Sequence, residues 1–162
     1  MRRLIPLIVF AVAAVSFLAF RPATTTDASA VEGVWKTVHV TTTNDEGTQE
    51  NEVTRLSLVI FTEGHWASFR TGGGPEGREM FPEEPTDEQR LTAFRQYNAT
   101  AGTYEVVGNE IHTKLLMHRN PNAMAEQGEN ASAFEMDGDA LVRIFTNANN
   151  GNSFRVRYER VE

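Results

Sequence analysis

From about residue 33 onward, apolar and polar side chains alternate with a period of two, the mark of strands with one buried and one solvated face. Val34, Lys36, Val38 and Val40 interleave with Trp35, Thr37, His39 and Thr41, which predicts a first strand near 33–42. Leu56, Leu58 and Ile60 interleave with Ser57, Val59 and Phe61, and Glu63-Gly64 turns the chain into a partner strand at 65–70. The pattern returns at 102–107 and 110–118 around Gly108-Asn109, and again at 132–136 and 140–146 around Asp137-Gly138-Asp139. A last strand, 153–161, follows an Asn/Gly-rich loop at 147–152. Eight strands result, and the polar run 43–51 reads as a loop.

Two segments interrupt the alternation. Residues 71–84 are rich in Gly, Pro and Glu, and lead into Thr86-Asp87-Glu88-Gln89, a capping box that predicts a helix to about Tyr97 with Leu91 and Phe94 on one face. This helix is placed between the third and fourth strands. Asn120-Pro121 is a second helix start, good for a turn or two. The hairpin spacing has no room for parallel crossovers. The expected fold is therefore all-β, an eight-stranded antiparallel up-and-down barrel, because closure removes both exposed edges. A two-sheet sandwich is the competing arrangement. A barrel of eight strands has an interior that takes side chains or one small ligand.

The first thirty residues read differently. Arg2 and Arg3 precede an apolar stretch from Leu4 to Phe20, broken only by Pro6 and Ser16, and Ala28-Ser29-Ala30 has the small-x-small form that signal peptidases cut. Residues 1–30 are thus expected to be a cleaved signal peptide, with an uncleaved anchor as the alternative, and 31–162 the barrel domain. That predicts a secreted or periplasmic protein with no stable membrane partner after cleavage. The net charge is −7, and losing the leader makes the chain more acidic still, which argues against nucleic acid as a partner. With no cysteine, disulfides and thiol chemistry are excluded, and the core alone must supply stability.

Gly33-Val34-Trp35 at the start of the first strand resembles the Gly-x-Trp signature of lipocalins and their calycin relatives. Residues 60–66 (IFTEGHW), 101–106 (AGTYEV), Asn120-Pro121-Asn122 with Met124, and 135–141 (EMDGDAL) extend the likeness to a family of bacterial secreted lipocalin-like domains, mostly of unknown function. The resemblance implies a lipocalin-like barrel whose floor is formed by Gly33 and Trp35. It also implies an arginine from the end of the chain lying over the indole. Arg155, Arg157 and Arg160 are in the right region, and Arg157 is favoured.

Candidate chemistry is sparse. The four histidines, His39, His65, His112 and His118, form no His-x-His or His-x-x-x-His pair, and His112 and His118 lie about 20 Å apart along one strand. No metal, cofactor or catalytic residue is expected. Phe154, Val156 and Tyr158 alternate with Arg155 and Arg157 on the last strand, so one set faces inward. An inward aromatic set makes the cavity apolar; an inward arginine set offers Arg157, and with it Arg143, to an anionic group. The pocket candidates are His39, His65, Phe69, Tyr104, His118, Phe134, Arg143 and Arg157. The expected function is binding of a small, largely apolar molecule inside the barrel. The alternatives are a cyclase or isomerase using such a pocket, and a filled barrel serving as an interaction module.

Overall fold

The longest strand, β1 (Gly33–Asn44), organises the sheet, because it pairs on both edges. The computed structural model describes residues 28–72 and 80–161; the apolar leader and the run 73–79 lie outside the described residues. After β1 come β2 (Gly47–Glu52), β3 (Ser57–Thr62), β4 (His65–Thr71), helix α1 (Asp87–Arg95), β5 (Tyr97–Val107), β6 (Glu110–His118), helix α2 (Pro121–Glu126), β7 (Glu129–Asp137), β8 (Ala140–Thr146) and β9 (Ser153–Arg160). Each strand from β3 to β9 pairs antiparallel with the next, and β9 pairs back onto β1, which closes an eight-stranded barrel.

The ninth strand is a correction to the sequence reading. Residues 47–52, expected to be loop, form β2, which pairs with the second half of β1 from His39↔Glu52 to Asn44↔Gly47, outside the closed barrel. The first half of β1 pairs with β3 on that same edge. Every residue of β2 is exposed, so no apolar alternation marks it, and the segment reads as polar loop. The added strand also shifts the count: the helix expected between the third and fourth strands lies between β4 and β5. Its capping box is formed, with Thr86 and Gln89 exchanging side-chain and backbone bonds.

The connections define two ends. Tight turns at Glu63-Gly64, Gly108-Asn109 and Gly138-Asp139 join strand pairs at one end, together with both termini of the described chain. Helices α1 and α2 and the 147–152 loop lie at the other. The first end is a closed floor. Trp35 is fully buried there, and its indole N–H donates to the Val31 carbonyl at 2.7 Å. Gly33 has φ +133°, a left-handed-region geometry that a side chain rarely tolerates. The arginine over the indole is Arg160, 4.1 Å from the ring, and not Arg157; Trp35 and Arg160 are register partners across β1 and β9. Arg160 also donates to the carbonyls of Glu32, at 2.6 Å, and Ala30, at 3.3 Å. Alternation decides the choice: Arg157 is an odd number of positions away from Tyr158 and so faces outward, where it meets Asp137 at 2.5 Å.

Two outcomes follow from the floor. Arg160→Ala should lower unfolding free energy by about 1–2 kcal/mol, through the lost cation–π contact and carbonyl bonds, whereas Arg157→Ala, which breaks an exposed ion pair, should cost about 1 kcal/mol or less in urea denaturation. Ala28–Ala30 form a short 3-10 turn whose Ala28 carbonyl accepts from Val31, itself wholly buried. A chain beginning at Val31 should therefore melt at a lower temperature than one beginning at Ala28, because Val31 N and Arg160 both lose acceptors.

Candidate functional site

Register assigns the inner face of every strand. Trp35, Val59 and Phe61 point inward at the floor, so their partners Arg160, Ser68 and Trp66 do too, and the rule carries around the barrel. On the far side the inward positions are Ile111, Thr113, Ser132, Phe134, Leu141, Arg143, Phe145, Phe154, Val156 and Tyr158. Burial along these faces falls steadily from floor to mouth. On β9, Tyr158 and Val156 are buried and Phe154 is half-buried; on β8, Leu141 is buried while Arg143 and Phe145 are half-buried. On β7, Phe134 and Ser132 are buried and Asn130 is exposed. Inner-face side chains are thus closely buried toward the floor and more exposed toward the opposite end.

The lower layer is a hydrophobic cluster that includes Val31, Trp35, Phe61, Tyr104, Ile111, Phe134, Leu141 and Tyr158. The Tyr104 ring meets Phe61 edge-on at 5.0 Å. Higher up, Phe145 and Phe154 stack at 5.4 Å across β8 and β9. Gly102 sits at the β-bulge between β5 and β6, where a Cβ would lie 1.9 Å from the Lys114 carbonyl oxygen and 3.0 Å from the Trp66 indole nitrogen. Only glycine lets the strands approach this closely.

Polar groups are few and mostly held. Thr37 and Ser57 share a buried hydroxyl bond at 3.0 Å. Arg143 donates to the Ser132 hydroxyl through Nε at 3.0 Å and Nη2 at 2.8 Å, and its guanidinium lies 5.8 Å from the Phe61 ring centre. Tyr158, on the strand beside it, has a phenol pKa raised by burial; the charges of Arg143 and Arg70 and a hydrogen bond from Arg143 pull against that rise. Burial, and then the charge of Glu32, also push the Tyr104 phenol up. Among the described residues, the Tyr104 hydroxyl and the Trp66 indole nitrogen are buried with no hydrogen-bond partner. Both are donors that an oxygen-bearing molecule in the barrel can satisfy.

The eight sequence candidates divide evenly. Tyr104, His118, Phe134 and Arg143 lie on the inner face, His118 at the mouth as the partner of Thr100, with its Nδ1 accepting from the Asn120 backbone. His39, His65, Phe69 and Arg157 face outward. His39 bonds Glu52 at 3.1 Å, His65 bonds the Glu63 carbonyl at 3.3 Å, and Phe69 aligns with outward Leu58 and Ala99. Arg157 borders an outer cleft of about 540 Å³ with Asp137, Asp139 and Glu159. The aromatic set of the last strand is the inward one. Arg143 is inward as well, because its partner on β9 is Val156. Sequence reasoning missed Trp66, Arg70 and Phe145. Each lies on the inner side of a strand whose alternation was read correctly, so the signal was present and only the face was unassigned.

Closed pairing through eight strands and a buried tryptophan floor under an arginine give the molecule the fold of a lipocalin-like barrel. No protein-family model and no curated protein matches the sequence. Among solved structures, a lipocalin-like protein from Bacteroides uniformis ATCC 8492 is similar with a TM-score of 0.46 at 14% identity, covering 79% of this chain and 97% of that one. An uncharacterized protein from Bacteroides eggerthii DSM 20697 is similar with a TM-score of 0.44 at 13% identity, covering 78% of this chain and 97% of that one.

The interior tyrosine sets a pH dependence. The folded protein holds the Tyr158 proton above the ordinary phenol value of 10.0, so above that pH the unfolded chain binds fewer protons than the native one. Stability should fall as pH rises past about 10, the ordinary phenol value. Tyr158→Phe should flatten that fall, as read from thermal melts across the series.

Proposed function

We propose that the protein is an extracytoplasmic binding protein that holds a small, largely apolar molecule in the open half of the barrel. The supporting observation is the burial gradient along the inner face. Half-buried Val40, Leu115, Phe145 and Phe154 lie on the inner face, toward the end opposite the packed floor. Apolar side chains left partly exposed gain when an apolar guest covers what remains in contact with water. Burying about 200 Å² of ligand surface contributes about 5 kcal/mol before the costs of association. The leader-like segment at Arg2–Phe20 supports export as the route to the compartment where such a carrier would work.

A filled interaction module would bury its inner face from end to end, which the mouth residues do not. An enzyme would need two proton-transferring groups within reach of one bound molecule. The inner-face His118 is instead tied to the Asn120 backbone at 2.9 Å, at the rim.

Saturable fluorescence enhancement of phenylnaphthylamine, a neutral apolar probe, tests the reading on the purified protein. The wild type should bind it in a one-to-one ratio, and Leu115→Trp, which enlarges a half-buried inner-face side chain on β6, should bind it at least about tenfold more weakly while keeping its β-type circular dichroism. Absence of saturable binding to the wild type would overturn the carrier reading. Native mass spectrometry of protein taken from its own host should then show the natural guest as added mass.

A further inference from the structure

Strand β2 has a partner on one side alone. It stands at the end of the strand order, and among the described residues no strand pairs with its far edge. The register shows which of its backbone groups face that edge. The Val53 N–H donates to the Val38 carbonyl at 2.8 Å, and the pairing with β1 then runs without a shift from His39↔Glu52 to Asn44↔Gly47. In an antiparallel ladder alternate residues face the partner strand. Asn51 and Gln49 therefore turn their N–H and C=O toward β1, and Glu52, Glu50 and Thr48 turn theirs toward the free edge. Every residue of β2 is exposed, so no apolar burial holds it in place. The ladder does, with two side-chain bonds of 3.1 Å each, Thr43 to Thr48 and His39 to Glu52. An edge kept extended in this way is a template for one more strand.

Charge decides which strand that is. Between Lys36 and Arg55 the chain has no lysine or arginine, and its carboxylates there are Asp45, Glu46, Glu50 and Glu52. Among the described residues, Asp45, Glu46 and Glu50 form no ion pair. Charged side chains on an edge turn away unwanted strands, and when all carry one sign the refusal is selective. A second copy that paired β2 on β2 would set like carboxylates against each other, on a chain of net charge −7. A strand with Lys or Arg at every second position meets the opposite field. Glu50 and Glu52 lie opposite Thr41 and His39, on the outer face, and cations of a strand laid beside β2 would fall about 5 Å from them. Gln49 and Asn51, on the other face, offer amides to small polar side chains.

We propose that β2 is a docking edge for an extended basic segment of another protein, which adds to the sheet beside β2 with cationic side chains alternating along it. Main-chain hydrogen bonds to Thr48, Glu50 and Glu52 supply the contact, and the carboxylates select the partner by charge. The edge lies outside the closed barrel, so docking there is independent of whatever the interior holds.

The experiment titrates the purified protein with a fluorescein-labelled heptapeptide of alternating lysine and threonine, and with its glutamate–threonine counterpart. The basic peptide should bind saturably and at least about tenfold more tightly than the acidic one, and more weakly as salt rises from about 0.05 to about 0.5 M. Amide hydrogen exchange followed by NMR locates the contact. Bound peptide should slow exchange at Thr48, Glu50 and Glu52 and leave Gln49 and Asn51, already bonded to β1, unchanged. Glu50→Pro removes an N–H from the free edge without touching the ladder to β1, and should weaken the basic peptide by about tenfold or more. Should Glu50→Pro lose its β-type circular dichroism, the exchange pattern of the wild type decides the matter by itself. No saturable binding, or equal binding of the two peptides, would overturn the proposal. So would saturable binding without protection at Thr48, Glu50 and Glu52, which would place the peptide elsewhere. Protection of these amides that grows with protein concentration in the absence of peptide would make the occupant a second copy, and would overturn it as well.

Discussion

Closure of the sheet by β1 on β9 is the constraint on which the molecule depends. A sheet of eight hairpin-linked strands left open would expose two unpaired edges. Here β1 is long enough to serve three partners, taking β9 along one edge and β3 followed by β2 along the other. A bulge between Thr37 and His39 marks the pairing with β9, close to where β3 gives way to β2 on the opposite edge. Bulges raise local twist, and a closing strand needs that twist to turn from one side of the barrel to the other. With closure made, every inner side chain faces every other, and the question of what the protein does becomes one of how that enclosed space is divided.

It is divided by depth. At the floor, Val31, Trp35, Phe61, Ile111 and Leu141 are at most 1% exposed, and Arg160 covers the indole from the chain end. Halfway up, Arg143 and Tyr158 mark a change from apolar packing to a charged level. Above them the wall is apolar and half-buried, with Phe145 and Phe154 stacked across β8 and β9. The same division separates the arginines: Arg155 and Arg157 on the outer face pair with Glu135 and Asp137, whereas Arg143 on the inner face bonds the Ser132 hydroxyl and Arg160 covers the indole.

Alternation of apolar and polar residues carried the strands, the three tight turns and the capped helix, because each is a local event governed by neighbours a few positions away. Gly33 and Trp35 were placed at the floor by a different signal, the resemblance of Gly33-Val34-Trp35 to the lipocalin signature. The polar strand β2 escaped notice because it borders solvent on both faces and has no alternation to display. Among the eight pocket candidates, Tyr104, His118, Phe134 and Arg143 proved to be interior and His39, His65, Phe69 and Arg157 exterior. Residue type alone cannot separate them, since a histidine, a phenylalanine and an arginine occur in each group.

What the amino-acid sequence determined by itself was therefore periodicity: which residues share a face, where the chain reverses, and that the faces are too apolar to remain apart. What only the tertiary structure decided was which face is inside, which arginine reaches the tryptophan, and which arginines meet a carboxylate. The physical reason is that a strand's two faces are related by a shift of one residue, and the choice between them is made by strands distant in the chain. Arg143 is interior because Val156 is its partner, and Arg160 caps the floor because β9 pairs with β1 in the register that sets it opposite Trp35.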